Sequence, residues 1–287
     1  MLGLDLPLFL ALFAFSFQGT SDFFLKSGVV RKGDPFSIMA MTVPSFVLTS
    51  AISGSVLGAL KFNSATFFYG PITAVFSFIA MNLFVTSLKH GEASVNTMLF
   101  RLSFIVTSFL AIGFLGESAG WSKWLGLALA TGAVCSVALG GGALRLGSNK
   151  GIILAVAALV SYGINAFCFK VAALNGVQAP AFSVVTSSSF GLASIILHFL
   201  PWGGFRFQAS PAAFRYGLLT GFLMAVMFNC IVWAMALGAE ASVVMPILQL
   251  SFVLTAAMAV ISLKEPVNAR KALGFTLAIA ALIVFAL

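Results

Sequence analysis

The chain has 287 residues, of which 61% are hydrophobic and only 8% charged, with a formal net charge of +8. A soluble domain keeps its surface wet with about 25% charged residues, so water is excluded as the main solvent and the bilayer takes its place. The positive balance is not a nucleic-acid signal either, because the basic residues stand singly or in pairs between apolar runs, where they orient helices and meet anionic headgroups.

Each apolar run is continuous over about 20 residues, the length a helix needs to cross the hydrocarbon, and none shows the alternation of a barrel strand. Ten such segments are read from the sequence, at 6–28, 36–60, 68–88, 93–115, 121–140, 150–171, 180–200, 212–236, 241–262 and 269–287. The first starts close to Met1 with no preceding positive charge, so it reads as a membrane helix and not as a cleavable leader. It carries Gln18, Asp22 and Lys26 at a spacing of four, on one helical face. The second follows Gly33-Asp34-Pro35, and the third carries Asn82. The fourth opens on Glu92 and carries Asn96 and, about two turns in, Arg101. The fifth follows Glu117, with Trp121 and Trp124 near its start. The sixth follows Gly147-Ser148-Asn149 and carries Tyr162, Asn165 and Lys170. The seventh ends near His198 and Pro201-Trp202-Gly203-Gly204. The eighth carries Asn229 and Trp233. The ninth opens on Glu240 and holds Pro246 and Gln249. The tenth follows Glu265-Pro266, with Pro266 suited to a first helical turn. Tyr69 and Tyr216, like the three tryptophans near span ends, read as interfacial anchors.

The chain repeats itself. A shift of 148 residues lays Glu92-Ala93-Ser94-Val95 on Glu240-Ala241-Ser242-Val243, Leu102-Ser103-Phe104 on Leu250-Ser251-Phe252, Thr107 on Thr255, Glu117 on Glu265 and Lys123 on Lys271. There are 14 identities in the 35 positions from Glu92 to Gly126. Shared apolarity does not align glutamates, a lysine and a threonine. A shift of 144 matches the first segments of each half, with Gly19 on Gly163, Phe23 on Phe167 and Lys26 on Lys170. Five crossings per copy is an odd number, so the second copy enters the membrane upside down. Inverted repeats of this kind suit secondary transporters, with the solute site between the halves near the midplane. The expected fold is all-α and polytopic, with ten transmembrane helices in two inverted five-helix repeats, 1–143 and 144–287, around a central cavity.

The duplicated pattern resembles the drug/metabolite transporter superfamily, EamA type, over the whole chain. The residues that carry the resemblance are Leu115-Gly116-Glu117 and Leu263-Lys264-Glu265, each followed by a basic residue and a glycine-containing helix (Lys123 with Gly126, Lys271 with Gly274), together with Lys26 and Lys170. The resemblance implies export or exchange of small metabolites such as amino acids across the inner (plasma) membrane. Nucleotide-sugar and sugar-phosphate exchangers are its more distant relatives. It also implies termini inside, whereas the lysine and arginine count of the loops places them outside.

Ionisable groups inside spans are expensive and so mark candidate sites. Asp22 reads either as a proton carrier lining the cavity or as the counterion of Lys26. Arg101 needs a cavity, a ligand anion, or an ion pair with Asp22 or Glu92. Gln18, Asn82, Asn96, Asn165, Asn229 and Gln249 offer hydrogen bonds, either to a ligand or as inter-helix glue. Tyr162 and Trp233 suit an aromatic wall. The carboxylates of Glu92, Glu240, Glu117 and Glu265 suit the N-termini of the helices they precede, and Pro246 suits a kink that frees the carbonyl near Ser242. The expected partners are a small-molecule solute and membrane lipids, with protons as a candidate coupling ion, in a monomer or homodimer. No cofactor or metal is expected: the three cysteines share no metal spacing, and the three aspartates and two histidines stand apart. With no P-loop, an enzyme reading reduces to an intramembrane lipid-modifying activity.

Overall fold

The computed structural model describes residues 5–31, 34–90, 93–138, 149–199, 207–208, 210–264 and 268–286. Among them there is no strand. The helices are α1 (Leu6–Val30), α2 (Pro35–Val56), α3 (Ser64–His90), α4 (Ala93–Arg101), α5 (Ser103–Leu115), α6 (Trp121–Ala138), α7 (Asn149–Leu174), α8 (Ala179–Phe199), α9 (Pro211–Ala236), α10 (Ala241–Gln249), α11 (Phe252–Leu263) and α12 (Ala269–Phe285). Among the described residues eight segments are long and apolar enough to cross a membrane, with α4–α5 and α10–α11 counting as one each. The remaining helices, α6 and α12, have 18 and 17 residues and pack against each other.

Local chemistry sets the helix starts. Asp34 accepts the Ser37 N–H at 2.8 Å ahead of α2, with Pro35 in the first turn, where its missing donor costs nothing. Ser210 does the same for α9 through the Ala213 N–H, and Asn268 for α12 through the Lys271 N–H. Pro266, expected in the first turn of the last helix, lies outside the described residues, as do Glu92 and Glu265.

The fourth and ninth apolar segments are each broken in mid-span. At the first break the Ile105 N–H bonds the Leu102 carbonyl, and at the second the Val253 N–H bonds the Leu250 carbonyl. Both are three-residue turns, and they fall on equivalent positions of the 148-residue shift. Each engages the N–H that an unbroken helix would aim at the carbonyl four residues back, that of Arg101 or Gln249. Pro246 sits inside α10, where the Ser242 carbonyl four residues back accepts from Ser108 Oγ at 3.5 Å; the break follows at Leu250–Ser251, and its counterpart at Leu102 has no proline. The cause is common to both copies, and proline is not it.

Packing runs mainly between the halves. The broadest contacts are α3 with α7, α1 with α9, α2 with α9 and α6 with α12. Under the repeat, α1 corresponds to α7, α2 to α8 and α3 to α9, so each contact has its exchanged twin. The close approaches confirm this pairwise. Thr107 Oγ1 donates to the Gly163 carbonyl at 3.0 Å, and Thr255 Oγ1 to the Gly19 carbonyl at 2.9 Å. A Cβ on Gly19 would lie 2.8 Å from the Ser251 carbonyl oxygen, and one on Gly163 2.8 Å from that of Ser103. Lipid offers no hydrophobic drive for helices to associate, so small residues and polar bonds hold these seams.

The contacts also give helix direction. Gly54 of α2 meets Pro180 while Val43 meets Gly191, so α2 and its counterpart α8 run antiparallel. Gly126 meets Phe285 while Val137 meets Gly274, so α6 and its counterpart α12 do as well. Tyr216, expected at the lipid interface, is instead turned inward at 7% exposure, against Gly28 and under the Arg31 guanidinium. Trp121 is exposed, as an anchor would be.

Gly19→Ala and Gly163→Ala are expected to cost about 1–3 kcal/mol each by overpacking and to lower the melting temperature in detergent. Gly113→Ala, whose Cβ meets nothing within 4 Å, leaves it unchanged or raises it.

Candidate functional site

The break at Leu250 sets the centre of the molecule. Because Val253 turns to Leu250, the Gln249 carbonyl is left facing Arg101, whose Nη1 donates to it at 3.3 Å. Nη2 of the same guanidinium meets Asp22 Oδ2 at 3.2 Å. Gln18, one turn back on α1, donates from Nε2 to Asp22 Oδ1 at 2.8 Å. The Arg101 guanidinium carbon lies 5.6 Å from the centre of the Phe252 ring, which opens α11. Four helices thus converge on one ion pair. The Asp22 and Arg101 side chains keep 23% and 20% exposure, so the pair is mostly but not wholly buried.

Aromatic rings extend from the cation. Phe84 stacks on Phe100 at 4.4 Å between centroids, and Phe100 packs on Tyr162 at 4.9 Å. Tyr162 lies within electrostatic reach of both Asp22 and Arg101. On the other side the Gln249 side chain donates to Ser103 Oγ at 3.3 Å. Gln18, Asp22, Arg101, Tyr162 and Gln249 are therefore brought together. Lys26 lies one turn further along α1.

The other candidates stand apart from this cluster. Asn96 donates to the Ser87 carbonyl at 2.7 Å and ties α4 to α3, and Asn229 accepts from Ser183 at 2.6 Å between α9 and α8. Both are buried. Asn82 bonds back to Phe78 on its own helix. Trp233 packs half-buried against the apolar core. Asn165 is 1% exposed, and its Oδ1 meets no partner among the described residues. Phe252, Phe100 and Phe84 were not singled out in the sequence, because among 31 phenylalanines only the partner marks these three.

A second polar cluster lies at one end of the bundle. Glu117 does not serve the helix that follows it, as the sequence suggested. It reaches across to the other half and accepts the Ala241 and Ser242 N–H groups at 2.7 and 2.9 Å, capping α10. Glu240, which precedes α10, makes no side-chain cap there and accepts the Ser118 N–H at 2.9 Å and Lys123 Nζ at 2.7 Å. Both carboxylates thus bond across the halves: Glu117 caps α10, and Glu240 holds the turn before α6 and the Lys123 side chain. Lys170 donates to the Met235 and Ala239 carbonyls at 3.2 and 2.7 Å, at the negative end of α9. Burial by itself would raise the Glu240 carboxyl, but Lys123 and Ser118 outweigh it and hold the group below its ordinary 4.5.

The apolar spans define a polytopic membrane protein, with paired helix breaks and a partly buried ion pair where its halves meet. The EamA-like transporter family model matches residues 5–139 and again 149–287. The chain belongs to that family, which lies in the drug/metabolite transporter superfamily and whose members are transporters. A crystal structure described only as that of a protein is similar in fold, with TM-score 0.76 at 14% identity over 97% of this chain and 95% of that one. No curated protein matches the sequence.

A carboxyl held below its ordinary value stabilises the fold above that value and loses its contribution as pH falls through the lowered one. Glu240→Gln is therefore expected to melt below wild type at neutral pH. The gap between the two melting temperatures closes as pH drops below about 4, and thermal shift across pH checks it.

Proposed function

We propose that the chain is a secondary transporter of small organic metabolites such as amino acids. It crosses the inner membrane ten times, as two inverted five-helix repeats, 1–143 and 144–287, that alternate access to a site between them. The antiparallel course of α2 against α8, and of α6 against α12, supports the inversion. A two-fold relation that reverses equivalent helices places its axis in the membrane plane, and rocking about that axis exchanges which side is open.

The partly exposed Arg101–Asp22 pair, where α1, α4, α10 and α11 meet, carries the reading. A cation at this depth costs several kcal/mol unless it is compensated. A purely structural pair would be sealed, yet this one keeps about a fifth of each side chain accessible. In the proposal Arg101 holds the anionic group of the solute, Gln18 and Asp22 its polar remainder, Gln249 the opposite side, and Tyr162 with Phe100 its apolar part. Protons are the proposed coupling ion, through Asp22.

Purified protein in liposomes is expected to show saturable flux of at least one member of an amino-acid panel. Arg101→Ala should lower it about tenfold or more, the loss of a buried charge contact. Non-saturating ion conductance in its place would make the protein a channel, and turnover of lipid in detergent would make it an enzyme.

A further inference from the structure

The contacts of the Arg101 guanidinium are all supplied by the protein itself: Asp22 at Nη2, the Gln249 carbonyl at Nη1 and the Phe252 ring against its face. A solute carboxylate that meets Arg101 across its Nη1–Nη2 edge competes for the place that Asp22 holds at Nη2. The Gln249 carbonyl is main chain, held by the turn that breaks the ninth span. Phe252 is buried at 7% exposure. Asp22 alone is a part-exposed side chain, from a different helix, that can swing away by rotation about its own bonds. We propose that Asp22 is an internal competitor: its carboxylate occupies the place on Arg101 that the solute's carboxylate takes, and its return displaces the solute.

The proposal rests on the reading of this cluster as the solute site, and it adds the group the solute presents there. Arg101 holds Asp22 through one guanidinium nitrogen, so the incoming group is a single carboxylate of the same shape and charge. A phosphate dianion would bring one negative charge more than the departing Asp22 contact removes, with Asp22 itself still nearby. Phe252 lies against the cation, and the Phe84–Phe100–Tyr162 ladder passes through the residue that precedes Arg101, which suits an aryl or alkyl remainder.

Competition by a tethered carboxylate acts as a high effective concentration of inhibitor. It weakens every solute by the same factor and lets a buried ion contact be released without leaving Arg101 unpaired. Gln18 is placed to receive the displaced group, since it already bonds the Asp22 oxygen that Arg101 does not use.

The test is calorimetric titration of the full-length protein in detergent with 3-phenylpropionate and isovalerate, which lack an amine that would itself attract Asp22. Asp22→Asn removes the competing charge and keeps the shape, and is expected to bind at least one of the two about tenfold more tightly than wild type. Asp22→Ser serves as the second variant if the first unfolds. Arg101→Gln should bind neither. Unchanged or weaker binding in both Asp22 variants overturns the proposal, as does binding to neither compound in any form. Tighter binding of phenyl phosphate than of 3-phenylpropionate by Asp22→Asn overturns the carboxylate assignment. These are binding measurements, so absence of flux in liposomes would fail the transporter reading while leaving the competition at Arg101 to stand or fall by itself.

Discussion

A guanidinium near the middle of a spanning helix costs about 2.5–3.5 kcal/mol on insertion scales before anything compensates it. Arg101 is placed two turns into the fourth segment, and the chain assembles its compensation from three other helices. Asp22 comes from the first span, the Gln249 carbonyl from the end of α10, and the Phe252 ring from the start of α11. The carbonyl is available only because the ninth segment is broken there. In an unbroken helix Val253 would claim it. The cation, the break and the meeting of the two halves thus act together at this point.

The breaks depend in turn on exchanged packing. A spanning helix must satisfy its own backbone or find partners in its neighbours. Here the neighbours are in the opposite half. Glycines at 19 and 163 let the α1 and α7 backbones come close enough for Thr255 and Thr107 to bond their carbonyls. Glu117 reaches the free N–H groups at the start of α10 by the same exchange. Because the broad contacts cross between halves, neither half closes a core without the other. Any motion of one against the other has to slide along seams made of small residues, which is the kind of seam that tolerates sliding.

Much of this was legible in the sequence. The apolar runs gave the helices, the internal identities gave the duplication, and an intramembrane arginine with an intramembrane aspartate gave the central pair. What could not be read was partner choice. Glu117 and Glu240 each stand beside a helix start in sequence, and local reasoning assigns each to its neighbour, while tertiary packing turns Glu117 to the start of α10 and Glu240 to Ser118 and Lys123. Pro246 drew attention as the helix breaker, but the break lies four residues on, because it follows the inter-half contact and not the missing donor. Asn96 and Asn229 carry the same amide as any ligand contact. Only the Ser87 carbonyl and the Ser183 hydroxyl that they meet reveal them as ties between helices.

The duplication also separates scaffold from chemistry. Positions that place one half against the other are identical in both copies: Gly19 with Gly163, Thr107 with Thr255, Ser103 with Ser251. The polar positions of the central cluster are not, although Phe252 and its counterpart Phe104 are alike. Gln18 corresponds to Tyr162, Asp22 to Ala166 and Arg101 to Gln249. Two copies of Arg101 related by a two-fold axis through the site would set two guanidiniums against each other in a medium that screens them poorly. Keeping one arginine and replacing its twin with a neutral amide removes that repulsion and leaves a hydrogen-bonding group on the opposite wall. Packing requires the two halves to be alike where they touch, and a charged centre shared between them requires them to differ.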